Sequence, residues 1–600
     1  MAGIFGIRSS NHVRDLHEDS SKLLHAAQQG FNHPHTIHFF EDSAIGCATP
    51  HHYSQTKWPI LSSDRRYALA VFGEIYLPDG SPLRSENFEV GFLRPFLKSK
   101  QEFLRKLDGA FVFALMNEDE CTIANDPFGN FALHYALLPD GFVFASQMEG
   151  LRSLLANRVL DKTGIQQYLG LGVTLGGRTT FEGITRLAGG SYLVISRNGI
   201  ERCRYFKPTY REEPSDATNT NLATIEEALQ TAVKKRTAYS KVVAGFTGGF
   251  DSRATWSIIL NQKRQVAAHT HGLPDCTDLQ LANRITTELG IPLDRIPFDR
   301  EFLRAVPDRW NEIVRLTEGG ISIAHAPTIQ VWHELGSRYS VEIDSYGGAF
   351  YRRQRMKVAE RLIDAKKDLI LELLRFEQSP LLSSSLLKPD ARHAVHESAM
   401  DALREYYDSI ADTMLLGDKL DRFHFEQVDA MKDSLGGNAQ MNFIGLAHPF
   451  LNLTAIEAVG KIPLALRRRD AIHKHIVHSQ YPCLEDFPVD SSGFVLPYRG
   501  FTTLRYAPII SERALQTAAR LLPSVFGNLS LRRPTMDTEH MLRPGLSKLR
   551  ERLLAPHPEY DTYVDRRAVE TMIDRFNVGS DVGSPLVQLL TFRLFLDLFG

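Results

Sequence analysis

The stretch Val242-Val243-Ala244-Gly245-Phe246-Thr247-Gly248-Gly249-Phe250-Asp251-Ser252-Arg253 joins a short β-branched run to a glycine pair, an acid, a hydroxyl and a helix-forming segment. That order predicts a strand, a tight loop and a helix N-terminus, which together make an anion cradle. Backbone N–H groups turn into such a loop and the helix dipole adds partial positive charge. Gly248 and Gly249 let the backbone approach a phosphate closely. Thr247 and Ser252 supply hydroxyl donors, and Asp251 is placed to hold a magnesium ion that travels with a nucleotide. The pattern is not a Walker loop, because no Gly-Lys-Ser/Thr follows.

Downstream of the loop, helical and strand patterns alternate: a helix to about Leu260, a strand at Val266 to Thr270, and a helix at Leu279 to Leu289. Alternation of this kind predicts a parallel, doubly wound sheet, in which ligands bind at the carboxyl ends of the strands, where Thr247 to Ser252 falls. Upstream, a helical face of Ile225, Ala228, Leu229 and Val233 begins at Ala223, and the polar run Lys207 to Asn221 reads as a linker. The first third is β-rich, with runs at Ala68–Phe72, Phe111–Leu115, Phe142–Ala145 and Ser191–Ile195 beside turn signals such as Pro139-Asp140-Gly141 and Arg197-Asn198-Gly199. The expected division is a domain over 1–206, a linker over 207–222 and a second domain over 223–600. Residues 354 to 376 read as a charged amphipathic helix with a solvated basic face.

Composition narrows the class. Six hundred residues, 43% hydrophobic and 23% charged, are those of a soluble protein of more than one domain. A net charge of −2 gives no electrostatic case for a nucleic-acid or acidic-membrane partner. Five scattered cysteines with no Cys-x-x-Cys favour a reducing compartment over a disulfide framework or zinc site. No apolar run reaches the length of a membrane span, and no basic segment followed by an apolar one opens the chain, so a cytoplasmic location is expected.

Several segments then accumulate in order. Met1-Ala2-Gly3-Ile4-Phe5-Gly6, Gly73-Glu74-Ile75-Tyr76, Leu107 to Ala114, Asp126-Pro127-Phe128-Gly129, Phe144 to Glu149 and Gly190-Ser191-Tyr192-Leu193 are followed by Thr247 to Ser252, Gly272-Leu273-Pro274 with Asp278 and Ala282, and His448-Pro449-Phe450-Leu451. Over nearly its full length the chain resembles the glutamine-dependent asparagine synthetase family. Thr247 stands in the serine position of a Ser-Gly-Gly-x-Asp-Ser loop similar to that of ATP pyrophosphatases. The resemblance implies an N-terminal αββα glutaminase-type domain of the Ntn-hydrolase kind, then a PP-loop synthetase domain with a helical C-terminal part. It implies ATP and Mg2+, with Thr247, Gly248, Gly249, Asp251 and Ser252 on the pyrophosphate, Gly272 by the adenosine, and the second-loop glycines Gly347 and Gly348 on the nucleotide.

Departures from that pattern shape the functional expectation. The glutaminase nucleophile is a position-2 thiol, where this chain has Ala2. The oxyanion-hole asparagine is replaced by Phe72, which offers no donor, and no Arg-Gly-Pro-Asp occurs around Phe31 to Ser54. The first domain is therefore expected to be a scaffold without glutaminase activity. In the second loop, Asp344-Ser345-Tyr346-Gly347-Gly348-Ala349-Phe350, Ala349 stands where the family has a metal-binding acid, leaving Asp344 or Glu342 as the second ligand and Arg352, Arg353 and Arg355 as phosphate-binding or surface residues. Asp490-Ser491-Ser492-Gly493-Phe494 lacks the family's late lysine, so transition-state charge is expected from Arg253 or Lys474. Asp251 and Arg253 are the candidate catalytic residues; Asp251 and Asp344 are the candidate metal ligands. The histidines, among them His269, His271 and His473, take structural roles by default.

The resulting expectation is an ATP-dependent ligase that adenylates a carboxylate for attack by an external or intramolecular amine, in the manner of β-lactam and lasso-peptide macrolactam synthetases. Alternatives are an asparagine synthetase or sugar-acid amidotransferase using ammonia, and an ATP-binding scaffold. Expected partners are a small-molecule or peptide carboxylate, an amine, and either a biosynthetic partner protein or a second copy.

Overall fold

The computed structural model describes residues 2–9, 14–28, 30–50, 56–239, 241–352, 369–410, 416–467, 470–491, 494–496, 498, 530–531, 534–580 and 582–600. Arg353, Arg355, Ser492, Gly493 and most of the expected helix 354–376 lie outside the described residues; Leu369–Glu377 is helical.

The first part of the chain builds two six-stranded antiparallel sheets. One runs β10 (Ile184–Arg186), β8 (His134–Leu138), β9 (Gly141–Ala145), β1 (Gly3–Ser9), β3 (Ser43–Ala48), β2 (His35–Phe39); the other runs β12 (Gly199–Arg204), β11 (Ser191–Ser196), β7 (Glu120–Asn125), β6 (Asp108–Met116), β5 (Ala68–Tyr76), β4 (Ile60–Leu61). Ala2, Ile4, Ile45 and Cys47 of the first sheet share a core with Phe72, Val112 and Ile123 of the second, so the sheets pack face to face. The opposite face of the first sheet, with Phe5, Ile7 and Ala44, packs with Leu23 and Ala27 of the helix Leu16–Gln28. The β-rich reading of this third holds, but β1 and β3 were obscured by glycine. A Cβ on Gly6 would lie 2.5 Å from the Phe144 ring, and one on Gly46 2.3 Å from the Phe5 ring. These glycines make room for aromatic side chains from neighbouring strands.

The second part carries a five-stranded parallel sheet in the order β15 (Leu293–Pro297), β14 (Ala267–Gly272), β13 (Val242–Gly245), β16 (Val341–Ile343), β17 (Gly445–Ala447). β13 is central, and strand order reverses on either side of it: β14 and β15 build outward one way, β16 and β17 the other. That is a topological switch point, and it opens a crevice at the strands' carboxyl ends. Helices Phe250–Asn261 and Thr277–Leu289 follow β13 and β14, as the alternating pattern predicts.

The segment between the sheets differs from the expected linker. The helix Thr218–Arg236 begins inside it, and the preceding residues strap onto the second part: Arg211 and Glu213 donate backbone N–H bonds to the carbonyls of Gly460 and Lys461 (3.0 and 2.9 Å). The C-terminal helix Gly583–Phe599 is buried nearly all round. Among the described residues no helix is long and apolar enough to cross a membrane.

Candidate nucleotide site at the sheet switch point

Loops leaving β13, β14, β16 and β17 converge over the carboxyl edge of the parallel sheet. The β13 loop closes on itself. Ser252 Oγ lies 3.0 Å from Thr247 Oγ1 and accepts from the Thr247 amide, while the Gly249 amide donates to Thr247 Oγ1 (3.3 Å). Gly248 is pinned from outside: its amide donates to Asp278 Oδ1 (3.1 Å) and its carbonyl accepts from the Asp490 amide (2.9 Å). Asp278 is held in turn by Thr535 Oγ1 at 2.8 Å. A Cβ at Gly248 would lie 2.3 Å from Leu281 Cδ1, so a larger residue would have to push that side chain aside. Gly249 then caps the helix Phe250–Asn261 with its backbone, no side chain covering the N-terminus.

Asp251, on the first turn of that helix, is bracketed by an arginine and a histidine. Arg352 Nη2 donates to its Oδ2 at 2.5 Å, and His473 Nε2 lies 2.8 Å from its Oδ1. Arg352 also reaches Asp470 (3.3 Å), a residue in the left-handed region with φ 53° that stands just before the helix carrying His473. Arg352 is thus an ion-pair partner of Asp251. Gly348 explains the spacing, since a Cβ there would meet the Asp251 carboxyl at 2.5 Å. The second-loop glycines therefore shape the seat of Asp251, with Gly347 in the left-handed region at φ 92°.

Asp344 sits on the neighbouring loop, its Oδ1 accepting from the Tyr346 amide (3.0 Å). It is exposed to a cavity, and desolvation by the surrounding walls, with Glu342 and Asp251 nearby, pushes its carboxyl up to about 6. Glu342, the other residue considered as a metal ligand, is buried in a different network. It accepts from Gln440 Nε2 (2.7 Å) and lies 2.8 Å from His269 Nε2. Burial works to raise its pKa, but His269, His271 and His448 outweigh that and hold it below the usual carboxylate range. Glu342 is a buried brace between β14 and β16, which leaves Asp344 as the carboxylate facing the crevice.

Arg253 is not where transition-state charge is needed. It is 0% exposed, and its guanidinium donates to the carbonyls of Leu484 (3.1 Å), Phe487 (2.8 Å), Pro488 (2.6 Å) and Gly248 (3.5 Å). It clamps the segment Leu484–Pro488 to the β13 loop, so its role is corrected from catalytic to positioning. Lys474 Nζ lies 5.8 Å from the centre of the Phe250 ring, beside the loop. Gly272 ends β14 at φ 139°, where a Cβ would strike Thr535 and Cys276. His473 and Arg352 are the site residues that the sequence underrated; the signal was a histidine and an arginine on segments following the second loop, unremarkable until folded.

Asp251 and Asp344 suit a divalent ion that arrives with phosphate. Among the described residues no group of three or more His, Cys, Asp or Glu gathers as a metal cage. Mg2+ is typically held by one or two carboxylates with substrate phosphates and water, and Asp251 and Asp344, on adjacent loops, fit that role once Arg352 and His473 yield.

In the first part, Ala2 is 0% exposed within the core, its amide donating to Asn442 Oδ1 at 2.6 Å and its carbonyl accepting from Gln147 Nε2 at 3.0 Å. Phe72 is 1% exposed and packs on Phe131 (centroids 4.8 Å apart). Neither residue lines the cavity that Asp344 faces.

Over 267 residues the chain is 23% identical to the protein named asparagine synthetase [glutamine-hydrolyzing] 1 of Bacillus subtilis (strain 168), a stretch spanning 42% of this chain and 42% of that relative. Solved structures similar to parts of the chain include the glutamine phosphoribosylpyrophosphate amidotransferase of B. subtilis complexed with ADP and GMP (18% identity, TM-score 0.24, 49% of this chain and 65% of that one). Another is described as the allosteric regulatory enzyme of purine biosynthesis (16% identity, TM-score 0.24, 62% and 78%). Residues 1–206 match the family model of the glutamine amidotransferase domain, and the chain spans less than half the length of the asparagine synthetase to which a stretch of it is similar.

Proposed function

We propose that the protein is an ATP-dependent ligase that adenylates a carboxylate and passes the acyl group to an amine. The carrying observation is the convergence of the Thr247–Ser252 loop and the Asp344–Gly348 loop at the switch point of a parallel sheet. In this reading the sheet is that of a PP-loop synthetase domain. Thr247, Gly249, Ser252 and the helix N-terminus receive the pyrophosphate, and Gly272 lies by the adenosine. Asp251 and Asp344 would hold Mg2+, which would neutralise phosphate charge. Arg352, beside Asp251 at the crevice, is the arginine placed to supply positive charge to phosphate, which the carbonyl-bound Arg253 cannot.

Ala2 and Phe72, both packed in the core, support a first domain that does not hydrolyse glutamine, so the amine comes from elsewhere. A macrolactam or specialised-metabolite synthetase is the finer reading; an asparagine synthetase or sugar-acid amidotransferase fed by ammonia is the alternative. The test is ATP–pyrophosphate exchange with magnesium across aspartate, N-carboxyalkyl amino acids, uronic acids and precursor-like peptides, with Asp251→Ala as control. Exchange with one acid, lost in the control, is expected. A folded protein that binds ATP without exchange for any acid would favour a second reading, a nucleotide-binding scaffold, for which the occupation of Asp251 by Arg352 and His473 is the supporting observation.

A further inference from the structure

Both oxygens of Asp251 are covered by the protein itself. Arg352 Nη2 donates to Oδ2 at 2.5 Å, and His473 Nε2 lies 2.8 Å from Oδ1. Gly348 closes a third side, where even a Cβ would come within 2.5 Å of the carboxyl. The Asp251 side chain keeps 27% of its surface and that of Arg352 only 14%, so this is not a solvated surface pair.

Arg352 is anchored from behind. Its Nη1 donates to Asp470 at 3.3 Å, and the Asp470 side chain is 2% exposed. Asp470 takes φ 53°, a left-handed conformation that aspartate tolerates better than most residues with a Cβ, and it stands just before the helix Ala471–Gln480 that carries His473. One backbone position thus sets both neighbours of Asp251. Removing the guanidinium would leave the buried Asp470 carboxylate without this partner, so Arg352 gains from staying close to Asp470 whichever second anion it meets.

This charge arrangement discriminates between two arrivals. Asp251 attracts a bare divalent ion through its negative charge, and Arg352 offsets that charge; giving up the carboxylate to such an ion brings the guanidinium no new anion. Phosphate changes the balance. Arg352 can then exchange the carboxylate for phosphate oxygen, to which a guanidinium donates at least as well. Asp344, the other carboxylate of the seat, feels Asp251 through space. It lines a cavity of about 250 Å3 that has Phe128, Gly129 and Asn130 of the first part on one wall.

We propose that Arg352, anchored on Asp470, is a resident counter-ion that makes Asp251 selective: it resists a bare divalent cation and admits one that comes with phosphate. That Asp251 takes a metal at all rests on the ligase reading above.

The test is Mn2+ binding to the full chain with no nucleotide added, read from the electron paramagnetic resonance signal of the free ion. Arg352→Gln should bind Mn2+ about tenfold or more tighter than the parent, whereas Arg352→Lys, which keeps the charge, should stay near the parent. Asp251→Asn in the Arg352→Gln background should abolish the gain. Asp470→Asn in that background should keep it, and it relieves the stranded carboxylate, so this double variant carries the test if Arg352→Gln melts early. In calorimetry, the preformed Mn2+ complex of α,β-methylene-ATP should bind the parent about tenfold or more tighter than Mn2+ alone. Equal Mn2+ affinity in the parent and the folded Gln variants, a gain that survives Asp251→Asn, or a complex that binds the parent no tighter than the bare ion overturns the proposal. Failure of the ligase reading looks different. The expected Mn2+ pattern with no pyrophosphate exchange for any acid removes the ligase and keeps the counter-ion. Exchange in a parent that binds bare Mn2+ as tightly as Arg352→Gln keeps the ligase and removes the counter-ion.

Discussion

Arg253 and Glu318 show how differently one buried charge can be handled. Arg253 has both terminal nitrogens matched by carbonyl oxygens, so Arg253→Met should strand the carbonyls of Leu484, Phe487 and Pro488. A cost of at least about 3 kcal/mol follows, read as a fall in the thermal unfolding midpoint. Glu318 is buried at the junction of the two parts, with φ 48°, its carboxylate accepting from the Met148 and Glu149 amides at 2.9 and 2.7 Å. Burial pushes its carboxyl up to about 7, against the opposing pull of those amides. The folded protein therefore holds a proton there that the unfolded chain has released. Stability from this group is full below the unfolded value of about 4.5 and falls as pH rises toward 7, at about 1.4 kcal/mol per pH unit. Glu318→Gln should flatten that slope over pH 4.5 to 7, measured by urea denaturation at a series of pH values.

At the scale of the element, glycine spacing separates shape from chemistry in the crevice. Gly348→Ala would drive a methyl into the Asp251 carboxyl, so pyrophosphate exchange should fall by about tenfold or more while melting shifts little. Gly249→Ala meets nothing nearer than Thr247 Oγ1 at 3.5 Å, and the backbone there has φ −79°, so its effect on stability should stay within about 1 kcal/mol. Exchange measured beside melting for both variants checks the contrast.

The β13 loop was legible because its chemistry is contiguous: a β-branched strand, two glycines, an acid and a hydroxyl all lie within a dozen positions. The helices after β13 and β14 were legible from periodicity. Arg253 was misread because charge type says nothing about direction, and only the packing of Leu484–Pro488 shows where its guanidinium points. Glu342 and Asp344 lie two residues apart on a strand end, but the first meets His269 in the sheet and the second faces open space. His473 and Arg352 were invisible as partners of Asp251, since a contact across more than a hundred residues leaves no local pattern. The strands β1 and β3 were hidden because their glycines serve the side chains of neighbouring strands.

At the scale of the whole molecule, one short helix, Ser434–Gln440, serves both halves. Asn438 accepts from the Ala132 amide (3.0 Å) and donates to the carbonyls of Ala132 (3.1 Å) and Ser146 (3.4 Å). Asn442, just past the helix, accepts from the Ala2 amide, and Ser434 takes a bond from the buried Arg186. Gln440 meanwhile braces Glu342 under the crevice. Asn438→Ala should therefore loosen the first part against the second by about 2 kcal/mol or more, because the buried Ala132 amide loses its acceptor. Faster limited proteolysis between residues 207 and 217 is the readout.

Phe128, Gly129 and Asn130 close one side of the cavity that Asp344 opens into. The first 206 residues are thus a piece of the mould in which any ligand there is cast. Cutting them away would not release a leaner catalyst; it would leave a bowl with one side missing, open to water.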